Sequence, residues 1–346
     1  MTAHEVRDVI VVGAGVAGLA AAHRLKEAGR APLVLTSGRG IGGRCATWRL
    51  DGQPVDYGVG FLHGVDPELV AAIHSVGDAT PIPGWPRHVE GRGTPCQPRA
   101  FAPQSARLAY AEGVSAFPKW LARDLEVRRQ TTVERLALGD AGIVLTLASG
   151  EQLCGRDVIL AMAGPQAETL LVPLVEDSDE VDAARRLLAM LGALPSLTVM
   201  AAYDPGTPEP PFEMLYPEDS ALLQTVAHDS SKRKAPRALV LVLQALPRWS
   251  RAHLDTPPET WERMLLDEAG RLIAPWVRAP SVTRTHRWKW ARVDAGCELS
   301  QPLLIPLGAG FRLGVAGELF APGGGVEAAW LSGHRLAGRM LESRPS

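Results

Sequence analysis

Residues 8–29 read DVIVVGAGVAGLAAAHRLKEAG, and the fold turns on how this stretch is read. Val9, Ile10, Val11 and Val12 are all apolar and β-branched, the pattern of a strand buried on both faces of a parallel sheet. The run breaks at Gly13, Ala14 and Gly15. Apolar residues then return at helical spacing from Val16 through Leu19, Ala22 and Leu25 to a stop near Gly29. Glycines at 13, 15 and 18 suit a strand–turn–helix that turns tightly, lets backbone approach a pyrophosphate and seats the helix on the sheet. The N–H groups of the helix start, at Val16 and Ala17, together with its partial positive charge, favour a phosphate there. Three glycines at this spacing also occur by chance in ordinary turns. Here the strand before and the helix after are both present, which favours dinucleotide binding.

The chain has 346 residues, enough for two domains or for one domain with a large insertion. Its 46% hydrophobic and 21% charged residues are ordinary for a globular protein. A formal charge of −2 offers no polybasic face, so nucleic acid is not an expected partner. The longest apolar run is broken by glycines and too short to span a bilayer, and no basic segment precedes it as in a secretory signal. Cys45, Cys96, Cys154 and Cys297 are scattered without ligand spacing. They read as reduced thiols of a cytoplasmic protein, with no metal expected. Nothing in the sequence speaks to the oligomeric state.

Beyond the first helix, Pro32–Leu35 is a second short strand, followed by Thr36 and Ser37 where dinucleotide-binding folds place an acid on the ribose. Their hydroxyls can bond a ribose without the charge-assisted strength of a carboxylate. Residues 38–48 (GRGIGGRCATW) are either a solvated surface loop or a glycine loop that sets Arg39 and Arg44 beside a diphosphate. From about Gly77 to Tyr110 six prolines argue against long helices and central strands. Residues 125–136, Gly142–Leu147 and Gln152–Ala161 read as strands, with Pro165, Gln166 and Ala167 as a crossing point out of the first sheet.

Between Leu170 and Asp294 a second domain is expected. Helices are read over residues 181–191 and 259–276, the latter with Trp261, Met264, Leu265, Leu272 and Ile273 on a core face. Strands are read over 197–202 and 238–243. The basic loop 230–237 is explained as well by solvation as by any ligand. In residues 286–291 (HRWKWA) a strand puts Trp288 and Trp290 on one face, either as a buried aromatic pair or as a flat wall over a planar ligand. At the other end of the chain, Phe311–Ala316 is a strand, and Gly323, Gly324 and Gly325 open a helix at Val326. That is either a packed terminal helix or a second helix start aimed at a flavin.

Taken together, GxGxxG, Gly42-Gly43-Arg44 with Thr47, Asp56-Tyr57-Gly58, HDSSK at 228–232, ALPRWS at 245–250, HRWKWA and GELFAPGGGVEAAWLSG resemble the flavin-containing amine oxidase superfamily and, within it, the renalase-like proteins. The resemblance covers nearly the whole chain. It implies an α/β fold: a glutathione-reductase-type FAD-binding Rossmann domain with a smaller α+β substrate domain on an antiparallel sheet. The segments expected are 1–77, 112–164 and 299–346 for the first, and 78–111 and 165–298 for the second. FAD is the implied cofactor, held by Gly13, Gly15, Val16, Ala17, Gly18, Thr36, Ser37, Arg39, Gly42, Gly43, Arg44, Gly58, Val59, Val133, Gly317, Glu318, Gly325 and Val326. Val133 enters because that strand's backbone usually meets the adenine, and Glu318 because an acid there holds a ribityl hydroxyl.

The implied activity is hydride transfer from a small substrate to flavin N5, in the renalase-like case from dihydronicotinamide isomers of NAD(P)H, with oxygen as acceptor. An amine oxidase or desaturase-like dehydrogenase, and a flavin-binding protein without turnover, are the alternatives. Trp288 and Trp290 are expected to wall the substrate, with Phe61 and His63 near the flavin. Several positions depart from the renalase pattern: Thr36, Glu318, residues 60–63, Gln244 in place of His, and Trp290 in place of Tyr. Most of them fall where substrate is expected, which implies a changed pocket on a preserved flavin scaffold.

Overall fold

Val6–Val12, four of whose residues are fully or nearly fully buried, lies inside an eight-stranded sheet. It runs parallel to Pro32–Leu35 on one side and to Gln152–Ala161 on the other, with Val12 opposite Leu35 and Leu160. The ten-residue strand Gln152–Ala161 is shared. Its first half pairs antiparallel with Gly142–Leu147, and its second half pairs parallel with Phe311–Ala316. Glu126–Arg128 closes one edge beside Pro32–Leu35, and Leu303–Leu307 pairs with Phe311–Ala316. The computed structural model describes residues 5–342.

The chain divides into two units. One comprises Met1–Gly43, Phe117–Ala193 and Val293–Ser346, and the other Arg44–Ala116 and Leu194–Arg292. Residues 44–77, expected with the dinucleotide-binding part, fall in the second unit because Asp56 there is tied to Asp229 and Lys232. Residues 165–193 fall in the first, where Ala167, Leu170 and Leu188 join the sheet's core. The expected ends 1–4 and 343–346 lie outside the described residues. Pro165, read as part of a crossing point, lies in the first turn of the helix Gly164–Leu171, where its missing N–H costs no helical bond.

In the second unit, six strands run in the order Val282–Val293, Ala193–Tyr203, Leu239–Ala245, Leu223–His228, Met214–Leu215, Val89–Glu90. Alternation sorts their side chains onto two cores. Leu197, Val199, Leu241 and Leu243 join Trp261 and Leu265 of the helix Pro258–Leu272, while Met200, Val240 and Val242 join Phe61 and Trp85. Met264, read as core, is 37% exposed because it lies off that helix's buried stripe. No helix among the described residues is long and apolar enough to cross a membrane, and none of their acidic, His and Cys side chains cluster to hold a metal.

Candidate functional site

The glycines of the first turn have distinct jobs. A Cβ on Gly13, whose φ is +119°, would sit 2.1 Å from the Ala161 carbonyl oxygen, and one on Gly18 would sit 2.0 Å from Gly13 O. Both are close-packing glycines. A Cβ on Gly15 would meet nothing within 4 Å, and Gly15 caps the helix Val16–Glu27 without any side-chain hydrogen bond. No side chain caps the first-turn N–H groups. Val16 and Ala17 are themselves buried.

The second glycine loop closes on the first. Gly42 N donates to Ala14 O at 2.7 Å, and a Cβ on Gly43 would lie 3.4 Å from Gly15 Cα. Two glycine loops in contact at an uncapped helix start are a setting that suits a diphosphate. Arg39 is exposed and makes no hydrogen bond among the described residues, which leaves its guanidinium available to an anion.

Beside the same turn, where Gly13 N donates to Leu35 O at 2.8 Å, Thr36 O accepts from Thr131 N (2.9 Å) and Gly38 O from Gln130 N (3.1 Å). This ladder brings Thr36, the exposed Ser37 and Val133, at the head of the strand Val133–Gly139, to one edge. Thr36 Oγ1 accepts from Gly38 N at 3.3 Å, so its hydroxyl also serves its own turn.

The final helix, Gly325–Glu342, is laid directly on the first: a Cβ on Gly333 would be 2.0 Å from Ala17 O. Glu318, 7% exposed, accepts from Gly325 N through Oε1 at 2.6 Å. One oxygen of the acid expected to hold a ribityl hydroxyl is thus committed to the helix N-terminus, where a carboxylate is stabilised. Gly317, another expected cofactor contact, donates its N–H to Ser332 Oγ, and Val326 is buried.

Arg44, Gly58 and Val59 belong to the second unit and form a site of their own. Arg44 donates to Ala291 O at 3.0 Å, and Val59 N donates to Arg44 O at 2.9 Å. Position 58 must be glycine, since a Cβ would lie 2.1 Å from Arg44 O and 3.0 Å from Trp288 Cζ2. Gln244 Nε2 holds Gly58 O at 2.7 Å.

Trp288 donates Nε1–H to Tyr57 O (3.2 Å), and its ring lies 5.3 Å from Tyr57 at 21°, nearly parallel. His286 joins both rings, at 5.1 Å from Tyr57 and 4.1 Å from Trp288. Burial, aided by the charge of Arg284, pushes the His286 imidazole below its ordinary value, so it is neutral at pH 7. Burial pushes the Tyr57 phenol up, against the pull of Arg284. Trp290 is half-buried with Lys289 Nζ 5.1 Å over its ring, and among the described residues it joins no aromatic pair.

Phe61 and His63 do not belong to this face. Phe61 is 1% exposed, edge-on to Trp85, and His63 is 3% exposed in the strand Leu62–Gly64. Neither has surface to offer a ligand. The resemblance implied a place near the flavin for both, but the three-stranded sheet and the Trp85 core cover them.

The loop read as solvated holds a buried ion network. Lys232 Nζ lies 2.5 Å from both Asp56 Oδ2 and Asp229 Oδ1, donates to Gly60 O at 3.0 Å, and sits 4.7 Å over the Trp85 ring. Arg233 bonds Asp229 (2.8 Å) and Asp56 (3.3 Å). Two acids balance two bases with almost no exposure.

Burial would raise the Asp56 carboxyl, but Lys232, Arg233 and the Thr47 hydroxyl outweigh it and hold it below the ordinary carboxylate range. A depressed carboxylate stabilises the fold above its unfolded value, near 4, and that contribution is lost as pH falls through the folded value. The penalty of Asp56→Asn, read from urea midpoints, is therefore expected to be full at pH 7 and to shrink steadily below about pH 4. A penalty independent of pH would contradict this assignment.

Comparison with known proteins follows the same lines. Residues 11–74 match the NAD(P)-binding Rossmann-like domain, and residues 96–341 match the flavin containing amine oxidoreductase family. A putative flavin-containing monoamine oxidase of Mycobacterium tuberculosis is 41% identical over 85 residues, which are 25% of this chain and 18% of that protein. Putrescine oxidase of Kocuria rosea is 36% identical over 112 residues, 32% of this chain and 21% of that one. The matched stretches are thus about a fifth of these relatives' own length.

Among solved structures, a putative protoporphyrinogen oxidase from Exiguobacterium superposes with a TM-score of 0.72 at 15% identity, covering 99% of this chain and 100% of that one. A putrescine oxidase variant gives 0.72 at 16% identity, covering 98% and 99%. The Rossmann-type unit with its antiparallel companion is therefore the fold of these oxidases. Since the second family match takes in well over half of the residues, the chain belongs to the flavin containing amine oxidoreductase family and its cofactor is FAD.

Proposed function

We propose that the protein is an oxidase that takes a hydride from a small planar substrate, of the dihydronicotinamide type used by renalase-like enzymes, with oxygen as final acceptor. When bound, FAD supplies the hydride acceptor. Gly13, Gly15, Gly18, Gly42 and Gly43, with Arg39, would hold its diphosphate, and the Thr36–Val133 edge its adenosine. Arg44, Gly58 and Val59 are assigned to the same cofactor by the resemblance.

The observation that carries the reading is the Tyr57–Trp288 stack. Its two rings are nearly parallel, and Trp288 is locked by its bond to Tyr57 O. Such a face orients a flat ring and excludes water without needing an acid or base, as a dihydropyridine requires when it becomes aromatic on losing hydride. His286, neutral at pH 7, adds a hydrogen-bonding nitrogen without a charge. On the face of the strand Val282–Val293 that carries His286 and Trp288, Arg284 and Arg292 are the charged residues and there is no acid, a poor setting for a cationic diamine.

The amine oxidase reading keeps the family matches on its side. Mixing the oxygen-free holoenzyme with dihydronicotinamide isomers and, separately, with amines tests the choice. Bleaching of the flavin by a dihydronicotinamide, restored by air, is expected, and bleaching by amines alone would overturn the proposal. Trp288→Ala should lower kcat at least ~10-fold with FAD retained, and turnover at the parental rate would remove Trp288 from the site.

A further inference from the structure

We infer that Arg284 recognises a phosphate carried by the substrate, so that the site takes a nucleotide form of the ring in preference to the riboside. The inference rests on the dihydronicotinamide reading and assigns a residue to the phosphate that an NAD(P)H isomer carries.

Arg284 lies on the same face of its strand as His286 and Trp288, two and four residues away, which is about 7 and 13 Å along an extended chain. Its guanidinium carbon lies 5.1 Å from the centre of the Trp48 ring. A guanidinium over an aromatic face keeps N–H donors for an anion. The side chain is exposed, and among the described residues it makes no ion pair or hydrogen bond. Its charge reaches the substrate face, since it contributes to the shifts of both His286 and Tyr57.

The nearby cations are otherwise engaged. Arg44 donates to Ala291 O, and Arg287 donates to Thr256 O, as expected for a neighbour on the opposite face of the strand. An uncompensated, ring-supported guanidinium beside a neutral aromatic face matches a ligand with a flat apolar ring at one end and a dianion at the other. A guanidinium binds phosphate oxygens in pairs, and hydrogen bonds of that kind are the strong ones.

The test is calorimetric titration of the FAD-loaded protein with nicotinamide mononucleotide and with nicotinamide riboside, which differ by the phosphate alone. Wild type is expected to bind the mononucleotide at least ~10-fold more tightly. In Arg284→Met the ratio of the two affinities should fall to near one, and in Arg284→Lys, which keeps the charge, it should be intermediate. A wild-type ratio near one, or an unchanged ratio in either variant, would overturn the inference. Should Arg284→Met fail to fold, Arg284→Lys and the wild-type ratio still decide. Because the readout is binding, it stands apart from the function. A phosphate preference that depends on Arg284, without bleaching by any dihydronicotinamide, would sink the proposed reaction and keep the phosphate site.

Discussion

Lys232→Met is expected to lower the melting temperature by roughly 10 °C, a loss of about 3–5 kcal/mol, the range for breaking a buried ion pair from one side. The side chains of Lys232, Asp56 and Asp229 have no solvent exposure, and Arg233 alone cannot neutralise two carboxylates. Methionine fills much the same volume, so packing is nearly kept and the uncompensated charge dominates. The double variant Asp56→Asn, Lys232→Met removes one charge of each sign. It is expected to be clearly more stable than the sum of the single changes, by more than about 1 kcal/mol. A single variant that melts within about 2 °C of wild type would show that the network adds nothing net.

Gly15→Asp should give a folded protein that cannot hold FAD. Position 15 has φ −79° and ψ 176°, open to any residue, and a Cβ there meets no neighbour. Aspartate is a favoured N-cap and should stabilise the first helix by up to ~1 kcal/mol. Yet its carboxylate would stand at the helix start proposed for the diphosphate and repel it, so affinity for FAD should fall more than ~100-fold. Gly18→Ala is the contrasting variant. Its Cβ would meet Gly13 O at 2.0 Å and Ala161 Cβ at 2.9 Å, and it should impair folding as well as binding. Retention of FAD by Gly15→Asp, measured as bound flavin per chain beside the melting temperature, would contradict the cradle.

Much of the first unit is legible in the sequence because its signals are local. The strand–glycine–helix opening, Pro32–Leu35 and Phe311–Ala316 announce themselves by apolar runs and glycine breaks, and they fold within a residue or a few of where they were read. The second unit hides its site because the decisive contacts join residues far apart in sequence. Lys232 and Arg233 look like a solvated basic loop until Asp56, 176 residues from Lys232, is brought against them. Period-two alternation from Trp288 does lead to His286 and Arg284, and that signal was available. Tyr57 stood in a motif read for its glycine. Phe61 and His63 are buried where the resemblance implied contact, because a motif position cannot show that a second layer covers its strand.

The central claim is that the two glycine loops of the first unit cradle the diphosphate of one FAD. Its most direct test is the FAD released by heat from purified protein, quantified against polypeptide after incubation with excess FAD and removal of the free cofactor. One FAD per chain is the predicted result. Protein that remains colourless and retains none would contradict the account.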